Sequence, residues 1–383
     1  MITIRINDYH KVDSHLFVMH INTLLSKGVF MLLPQLSAPR FRRSLLLASL
    51  LIAGSFSAHA ADEMLRKPVG KGAYEMAIGQ QENALWVATS QSRKTDKGGV
   101  VYRLDPATLA ITQIIHSDLK PFGATLDNQS QVLWFGNTLN GSVTAIDAKT
   151  GDVKGRIVLD PRQRSETVRP LQPRELVADE KTNTIYITAV GKESAVWVVD
   201  GAAMKLKTTI EGTGERTTAL AIDDDAQRLY VVSASGELLT IDTAKNSIIE
   251  RHKLVDDGKE HAFLNIALDK ANHRAYVTDF KQPEVLVVDY RSGKVVDKVA
   301  APESLAVLFN PARNEVYVTH RMAGKVSVID AKTNKVVKTF DTPPRPNSLA
   351  LSADGKTLYV TVKQESTREK EATQPDDVIR ISL

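Results

Sequence analysis

The residues of this chain that could carry chemistry are cationic and aromatic side chains in short segments between apolar runs. This candidate set comprises Tyr74, Phe122, Arg174, Arg216, His320, Arg321 and Arg345. Cations pair with phosphates and flat rings stack on exposed bases, so the mixture suits DNA, with single strands favoured. It also suits another polyanion or an acidic protein surface. The competing interpretation is that these are solvated loop charges.

A sequence repeat positions these segments. Residues 304–340 contain four short runs, SLAVLF, EVYVTH, KVSVID and KVVKTF, with Asn, Pro and Gly between them. Alternating β-branched residues broken by turn formers predict four antiparallel strands. The aromatic of the second run recurs every 41 to 52 residues, at Trp86, Trp134, Tyr186, Tyr230, Tyr276, Tyr317 and Tyr359. Such a period predicts an all-β fold, a seven-bladed β-propeller with four strands per blade.

The two ends of the repeat predict how the ring closes. The seventh copy stops after its third strand at Leu383, and an unassigned strand-like segment, Met64–Val69, precedes the first copy. We expect this N-terminal strand to complete the last blade, which removes two free sheet edges. Pro68 fits there because an outermost strand tolerates a missing donor.

Residues 1–60 form a separate leader. Arg40, Arg42 and Arg43 precede a short apolar run that ends in Ala58-His59-Ala60. This order is typical of a cleavable signal peptide and too short for a membrane anchor, so we expect periplasmic export. Met31 would open a leader of ordinary length, which indicates that the start is over-extended. Residues 61–383 are then one propeller domain, which we expect to be monomeric.

Charge and motifs narrow the function. The leader holds six basic and two acidic residues, which leaves 43 of each in the remainder. Net charge therefore gives no support to nucleic-acid binding, and any cationic site must be local. Absence of cysteine excludes disulfides and thiol chemistry. The Asp that ends six of the seven third strands fits a turn role better than a catalytic one.

The chain lacks recognisable catalytic and metal-binding motifs such as H-E-x-x-H and G-x-S-x-G. We therefore predict a non-enzymatic binding protein with no cofactor and no metal. Two alternatives remain open. One is a platform for protein partners. The other is a channel-site enzyme such as a lactonase-like propeller, for which the candidate residues are Glu75, Glu175, Asn137, Asp279 and His320.

Three segments resemble the YVTN repeat of bacterial and archaeal surface propellers: Tyr317-Val318-Thr319-His320, Tyr276-Val277-Thr278-Asp279 and Tyr359-Val360-Thr361-Val362. With KGAYEMA, LKPFGAT, LQPRELVAD and APESLAVLFNPARNE, the chain from Glu63 onward resembles the YncE family of periplasmic proteins. The resemblance implies a seven-bladed propeller exported to the periplasm, with no established enzymatic activity and a capacity to bind DNA. The first thirty residues depart from the family pattern.

Overall fold

The computed structural model describes residues 64–94, 97–367 and 370–383, and these contain 28 β-strands. They form seven antiparallel sheets of four strands each, the blades of a β-propeller. No helix long and apolar enough to span a bilayer occurs in this part of the chain. The predicted leader and its cleavage site lie outside the described residues.

The blades are numbered in chain order, and their strands are given from the axis outward. Blade 1 comprises β2 (Ala73–Gly79), β3 (Ala84–Thr89), β4 (Gly99–Leu104) and β5 (Ile111–Ser117). Blade 2 comprises β6 (Pro121–Asp127), β7 (Val132–Asn137), β8 (Ser142–Asp147) and β9 (Val153–Val158). Blade 3 comprises β10 (Gln172–Asp179), β11 (Thr184–Val190), β12 (Ala195–Asp200) and β13 (Lys205–Ile210).

Blade 4 comprises β14 (Thr217–Asp223), β15 (Arg228–Ser233), β16 (Glu237–Asp242) and β17 (Ser247–Lys253). Blade 5 comprises β18 (Phe263–Asp269), β19 (Arg274–Asp279), β20 (Glu284–Asp289) and β21 (Lys294–Ala300). Blade 6 comprises β22 (Val307–Asn310), β23 (Glu315–His320), β24 (Lys325–Asp330) and β25 (Lys335–Asp341). Blade 7 comprises β26 (Pro346–Leu351), β27 (Thr357–Val362), β28 (Asp376–Ser382) and β1 (Met64–Gly70).

The first strands of successive blades contact one another in order and surround a central channel. The last contact, between β26 and β2, closes the ring. The expected N-terminal closure is confirmed, because β1 pairs antiparallel with β28 from Met64↔Ile381 onward. A salt bridge of 2.6 Å between Arg66 Nη2 and Asp377 Oδ2 joins the same two strands.

The hydrophobic core lies between the blades. The second-strand aromatics are buried, and Trp86, Trp134, Tyr276 and Tyr317 are all 0% exposed. Trp134 of blade 2, for instance, shares a cluster with Ile185 and Trp197 of blade 3. Each fully buried large side chain contributes about 1.5–3 kcal/mol. Packing between neighbours therefore stabilises sheets that could not stand alone.

The recurring aspartates close turns, as the sequence predicts. Asp330 Oδ1 accepts hydrogen bonds from the backbone N–H of Lys332 at 3.1 Å and of Thr333 at 2.7 Å. The bond from the third residue after the Asp also occurs in the other five copies, at Asp105, Asp147, Asp200, Asp242 and Asp289. A short carboxylate in this place satisfies the turn's donors, which accounts for its recurrence without any catalytic role.

Candidate binding site at the channel mouth

Strand pairing places one residue of every blade at an equivalent position along the channel. In each blade the residue after the second-strand aromatic pairs with a first-strand residue, as Val87 does with Met76 and Phe135 with Ala124. Counting back two residues from the first-strand partner gives the upper ring: Tyr74, Phe122, Arg174, Thr218, Leu264, Leu305 and Asn347. Counting back one gives the lower ring: Glu75, Gly123, Glu175, Ala219, Asn265, Ala306 and Ser348.

The two aromatics of the candidate set lie together in the upper ring. The ring centroids of Tyr74 and Phe122 are 4.2 Å apart and their planes are inclined by 35°. The Nζ of Lys363 lies 3.8 Å from the centroid of the Tyr74 ring, within the range of a cation–π contact. This amino group also donates to the Ala73 carbonyl at 3.0 Å and lies 3.4 Å from Asp376 Oδ2. Lys363 is not in the candidate set, yet it belongs to the same cluster.

Arg174 occupies the third upper-ring position and reaches across the channel mouth. Its Nη1 donates to the backbone carbonyls of Thr218 and, at 3.0 Å, of Leu264. These two residues are the upper-ring members of the next two blades. The Arg174 side chain is 17% exposed. The guanidinium therefore links three blades, and part of its hydrogen-bonding capacity is already used inside the protein.

Three cations lie on backbone segments that are hydrogen-bonded in series. The N–H of Arg345 donates to the Arg321 carbonyl at 3.0 Å, and the N–H of Lys363 donates to the Arg345 carbonyl at 3.0 Å. Burial lowers the pKa of Arg321, with Tyr74 opposing and Arg345 reinforcing that shift. Arg345 Nη2 contacts Glu365 Oε1 at 2.9 Å. We call Tyr74, Phe122, Arg321, Arg345 and Lys363 the mouth cluster.

The half-buried guanidinium of Arg321 has no hydrogen bond or ion pair to any residue within 64–94, 97–367 and 370–383. The charge of Asp376 acts on this guanidinium without forming an ion pair with it, so the N–H donors of Arg321 are left for a partner. Among the residues of the mouth cluster, Arg321 is therefore the best candidate to bind an anion.

Arg216 and His320 lie outside the mouth cluster. Arg216 is on blade 4, where its Nε has no hydrogen-bond partner in the described chain and lies 3.7 Å from Glu215 Oε1. His320 is 0% exposed. Its Nε2 lies 2.8 Å from Ser327 Oγ, its Nδ1 lies 3.1 Å from the Pro302 carbonyl, and burial lowers its pKa. The neutral imidazole therefore holds loops together and presents no surface to a ligand.

A cavity of about 170 Å³ lies in the channel at the lower ring. All of the lower-ring residues except Gly123 line it. Burial raises the pKa of Glu175 to about 8, and the charge of Glu75 adds to this shift while Arg174 opposes it. Burial also raises the pKa of Glu75, against a hydrogen bond from Ser348 and the charges of Arg174 and Lys363.

The residues proposed for a channel-site enzyme do not form one site. Glu75 and Glu175 share the channel, whereas Asn137 donates to Ser142 and Thr144 within its own blade. Asp279 is 0% exposed and binds His261 Nδ1 at 2.6 Å. Together with the buried His320, these side chains stabilise loops.

One cluster of three potential metal ligands occurs among the described residues, namely Asp223, Asp224 and Asp225. Lys181 Nζ lies 2.9 Å from Asp224 Oδ2, and Lys270 Nζ lies 2.5 Å from its Oδ1. The cluster follows the end of β14, away from the channel mouth. Lys181 and Lys270 thus already pair with the carboxylates of Asp224 and Asp225.

The lower ring is the feature that the sequence interpretation used least. Every lower-ring residue lies eleven positions before a second-strand aromatic, from Glu75 before Trp86 to Ser348 before Tyr359. Glu75 and Glu175 enter the interpretation only as scattered enzyme candidates, and Asn265 and Ser348 do not enter it. The constant offset is the signal that would have grouped all four.

The family profile and two similar proteins indicate the same family for this chain. Residues 86–371 match the profile of YncE-like β-propellers. The YncE protein of Salmonella typhimurium is 73% identical over 351 residues, which are 92% of this chain and 99% of that protein. The YncE protein of Escherichia coli K12 is 71% identical over the same shares. Both relatives are described as uncharacterized.

Among solved structures, hydrazine synthase of Kuenenia stuttgartiensis superposes with a TM-score of 0.66 at 15% identity. The match covers 77% of this chain and 94% of that one. At this identity the likeness concerns the fold alone.

Proposed function

The chain belongs to the YncE-like β-propeller family, and on that premise we propose that it is a non-enzymatic protein that binds single-stranded DNA or another polyanion at the mouth of its channel. We place this activity in the periplasm, on the strength of the sequence of the leader. A monomer suffices, because the mouth cluster comes from blades 1, 2, 6 and 7 of one chain.

The observation that carries the proposal is the unpaired guanidinium of Arg321. It is half-buried beside Tyr74, with Arg345 and Lys363 on the hydrogen-bonded segments next to it. Arg345 pairs with Glu365, whose side chain is 78% exposed, so this pair is weak and open to exchange. A phosphate at this place would give Arg321 its missing partner, and the exchange at Arg345 would cost little.

The aromatic pair supports a ligand that carries flat rings. Tyr74 already contacts Phe122 and Lys363, which leaves little of its ring for a ligand. We therefore assign base stacking to the partly exposed Phe122, with Tyr74 as its support. Each stacked base would contribute about 1–3 kcal/mol with little dependence on sequence. Duplex DNA should bind more weakly because its bases are already stacked.

The test measures binding of a fluorescent oligothymidine at two salt concentrations. Phe122→Ala should weaken binding by about 1–3 kcal/mol and leave the salt dependence unchanged. Arg321→Ala should weaken binding and reduce the log–log salt slope by about 0.7, the value for one phosphate contact on a single strand. Lys192→Ala is the matched control, since Lys192 is an exposed lysine in the loop after β11 of blade 3.

Two results would count against the proposal. If both variants bind as the wild type does, the site is not at the mouth cluster. If the wild type has no affinity for the oligonucleotide at physiological salt, polyanion binding fails as a class.

A platform for protein partners would then be the better candidate. The observation that favours it is a set of exposed apolar side chains on the outermost strands of neighbouring blades. Ile114 on β5 is 51% exposed, and Val153 and Val158 on β9 are 56% and 59% exposed. Such side chains are typical of contact surfaces when they form a contiguous patch.

A further inference from the structure

The channel cavity has a polar part and an apolar part. The lower ring contributes Glu75, Glu175, Asn265 and Ser348, carried by blades 1, 3, 5 and 7. The next positions of the inner strands contribute the apolar side chains Leu220, Ile266, Val307 and Leu349. A concave site with a few convergent polar groups on an apolar wall is the usual form of a small-molecule site.

The charges around the cavity do not balance. Glu75 and Glu175 would carry two negative charges if both ionised, and Arg174 supplies one positive charge at 3.8 Å from Glu175 Oε2. The nearby amino group of Lys363 is already paired with Asp376. One negative charge is therefore left over. The raised pKa of both carboxyl groups is the expected result, since a proton held by the pair restores neutrality.

The polar groups that line the cavity mostly accept hydrogen bonds. The Glu175 carboxylate receives no hydrogen bond from the residues that the structure describes, and its contact with Arg174 exceeds hydrogen-bonding distance. Asn265 Nδ2 donates to the Leu305 carbonyl at 2.7 Å, so its Oδ1 is the atom left for a ligand. Ser348 Oγ donates to Glu75. The Glu175 carboxylate and Asn265 Oδ1 are therefore free to accept hydrogen bonds. Beside an excess negative charge, they suit a cation that donates several hydrogen bonds.

The size and lining of the cavity indicate what kind of cation fits. A cavity of about 150 Å³ holds a molecule of benzene in a protein core. The channel cavity, at about 170 Å³, is therefore larger than one metal ion needs. Its apolar wall would give no benefit to a hydrated inorganic ion but would cover a short hydrocarbon group. The single unbalanced charge calls for a monovalent ligand.

We propose that the central channel binds a small organic ammonium ion, with its N–H groups directed at Glu175 and Asn265 and its hydrocarbon part against Leu220 and Ile266. The positive charge of the ligand takes the place of the proton that otherwise neutralises Glu175. This site lies below the mouth cluster and has the opposite charge preference, so it stands independently of the polyanion proposal.

The test is titration calorimetry of the wild-type protein with n-butylammonium chloride at pH 7, in two buffers of different ionisation enthalpy. We expect saturable binding with one ligand per protein and release of close to one proton. Neutral n-butanol has the same hydrocarbon chain and should not bind. Potassium chloride is the inorganic control, and an equal proton release with potassium would overturn the organic assignment.

Variants locate the site. Glu175→Gln removes the unbalanced charge while keeping the shape, so it should lower the affinity for n-butylammonium at least tenfold and abolish proton release. Ala306→Leu fills the cavity without changing its charge and should abolish binding. Glu193→Gln alters an exposed loop carboxylate and should behave as the wild type. Thermal melting checks that each variant is folded.

Besides the potassium result, three outcomes would contradict the proposal. They are the absence of binding to the wild type, equal binding of n-butanol, and unchanged affinity in both Glu175→Gln and Ala306→Leu.

Discussion

At the scale of single residues, the charge of the channel depends on whether Glu175 is protonated. Its carboxyl group is held among apolar neighbours with Glu75 beside it and Arg174 as the nearest compensating cation. A carboxyl group in such a place is more stable protonated than ionised. The protonation state of Glu175 on blade 3 thus depends on a carboxyl group carried by blade 1.

This arrangement predicts a specific dependence of stability on pH. The pKa of Glu175 is about 8 in the folded chain and 4.5 in its ordinary state. Between these values the folded protein keeps a proton that the unfolded chain has lost, so raising the pH from 5 to 8 should lower the free energy of unfolding. Glu175→Gln should lose less free energy of unfolding over this range, by about 1.4 kcal/mol for each unit of the pKa shift of Glu175. Urea unfolding at both pH values measures this.

The variant comparison is needed because other groups titrate in the same direction, namely Glu75, whose pKa burial also raises, and His261. Burial tends to lower the pKa of His261, but its hydrogen bonds with Asp257 and Asp279 outweigh this and raise it. Its stabilising contribution is also lost as the pH rises through the folded pKa. The difference between wild type and Glu175→Gln removes that common contribution. Identical pH profiles for the two proteins would show that Glu175 titrates normally.

At the scale of elements, three of the loops that lead into the inner strands share one left-handed turn. Gly72, Arg216 and Arg345 hold equivalent positions with φ of 69°, 51° and 77°. In each case the carbonyl accepts the N–H of a residue after the second strand, Ser90, Ala234 or Lys363, at 2.9–3.0 Å. Glycine adopts this conformation freely, whereas an arginine there costs about 1–2 kcal/mol. Strain kept at two arginines points to a use for their side chains.

The substitution Arg345→Gly separates the backbone strain at this position from the binding role of the side chain. The change should leave the free energy of unfolding equal or raise it by about 1 kcal/mol, because the left-handed turn becomes unstrained. Affinity for the oligothymidine should fall, and the salt slope should decrease by about 0.7. Arg345→Ala keeps the strain and loses the charge, so it should bind as weakly as Arg345→Gly with lower stability. A glycine variant that binds normally would remove Arg345 from the site.

The elements could be predicted from the sequence far better than the contacts at the channel. Each Asp330-type turn depends on donors two and three residues away, so the local pattern suffices. The second-strand aromatics pack against the next blade, but they recur at a regular spacing that the sequence also shows. Arg174 bonds to Leu264, which is 90 residues away along the chain. Such a partner is decided by the curvature of the ring. The burial of His320 likewise depends on how two loops pack, which no local pattern encodes.

At the scale of the whole molecule, stability rests on the closure of blade 7. β1 pairs with β28, and Arg66 binds Asp377 beside the strand pairing. Loss of β1 would expose the edge of β28 and break the only described sheet that joins the two ends of the domain.

Deletion of Met64–Gly70 should therefore lower the melting temperature by well over ten degrees or cause aggregation, rather than loosen one blade. Arg66→Ala is the milder companion. It removes the ion pair but keeps the strand, and should cost no more than about 1 kcal/mol because Arg66 is 49% exposed. Melting of the truncated protein within a few degrees of the intact one would show that the ring is held by other contacts.

Closure by strands from opposite ends also sets an order for biosynthesis. Arg66 is among the first residues of the domain to be made, and its partner Asp377 follows 311 residues later. The first strand must therefore wait, unpaired, until nearly the whole chain exists. A product that lacks β28 keeps two open sheet edges, at β1 and β27, which can pair with other chains. The propeller can therefore close only after both β1 and β28 have been synthesised.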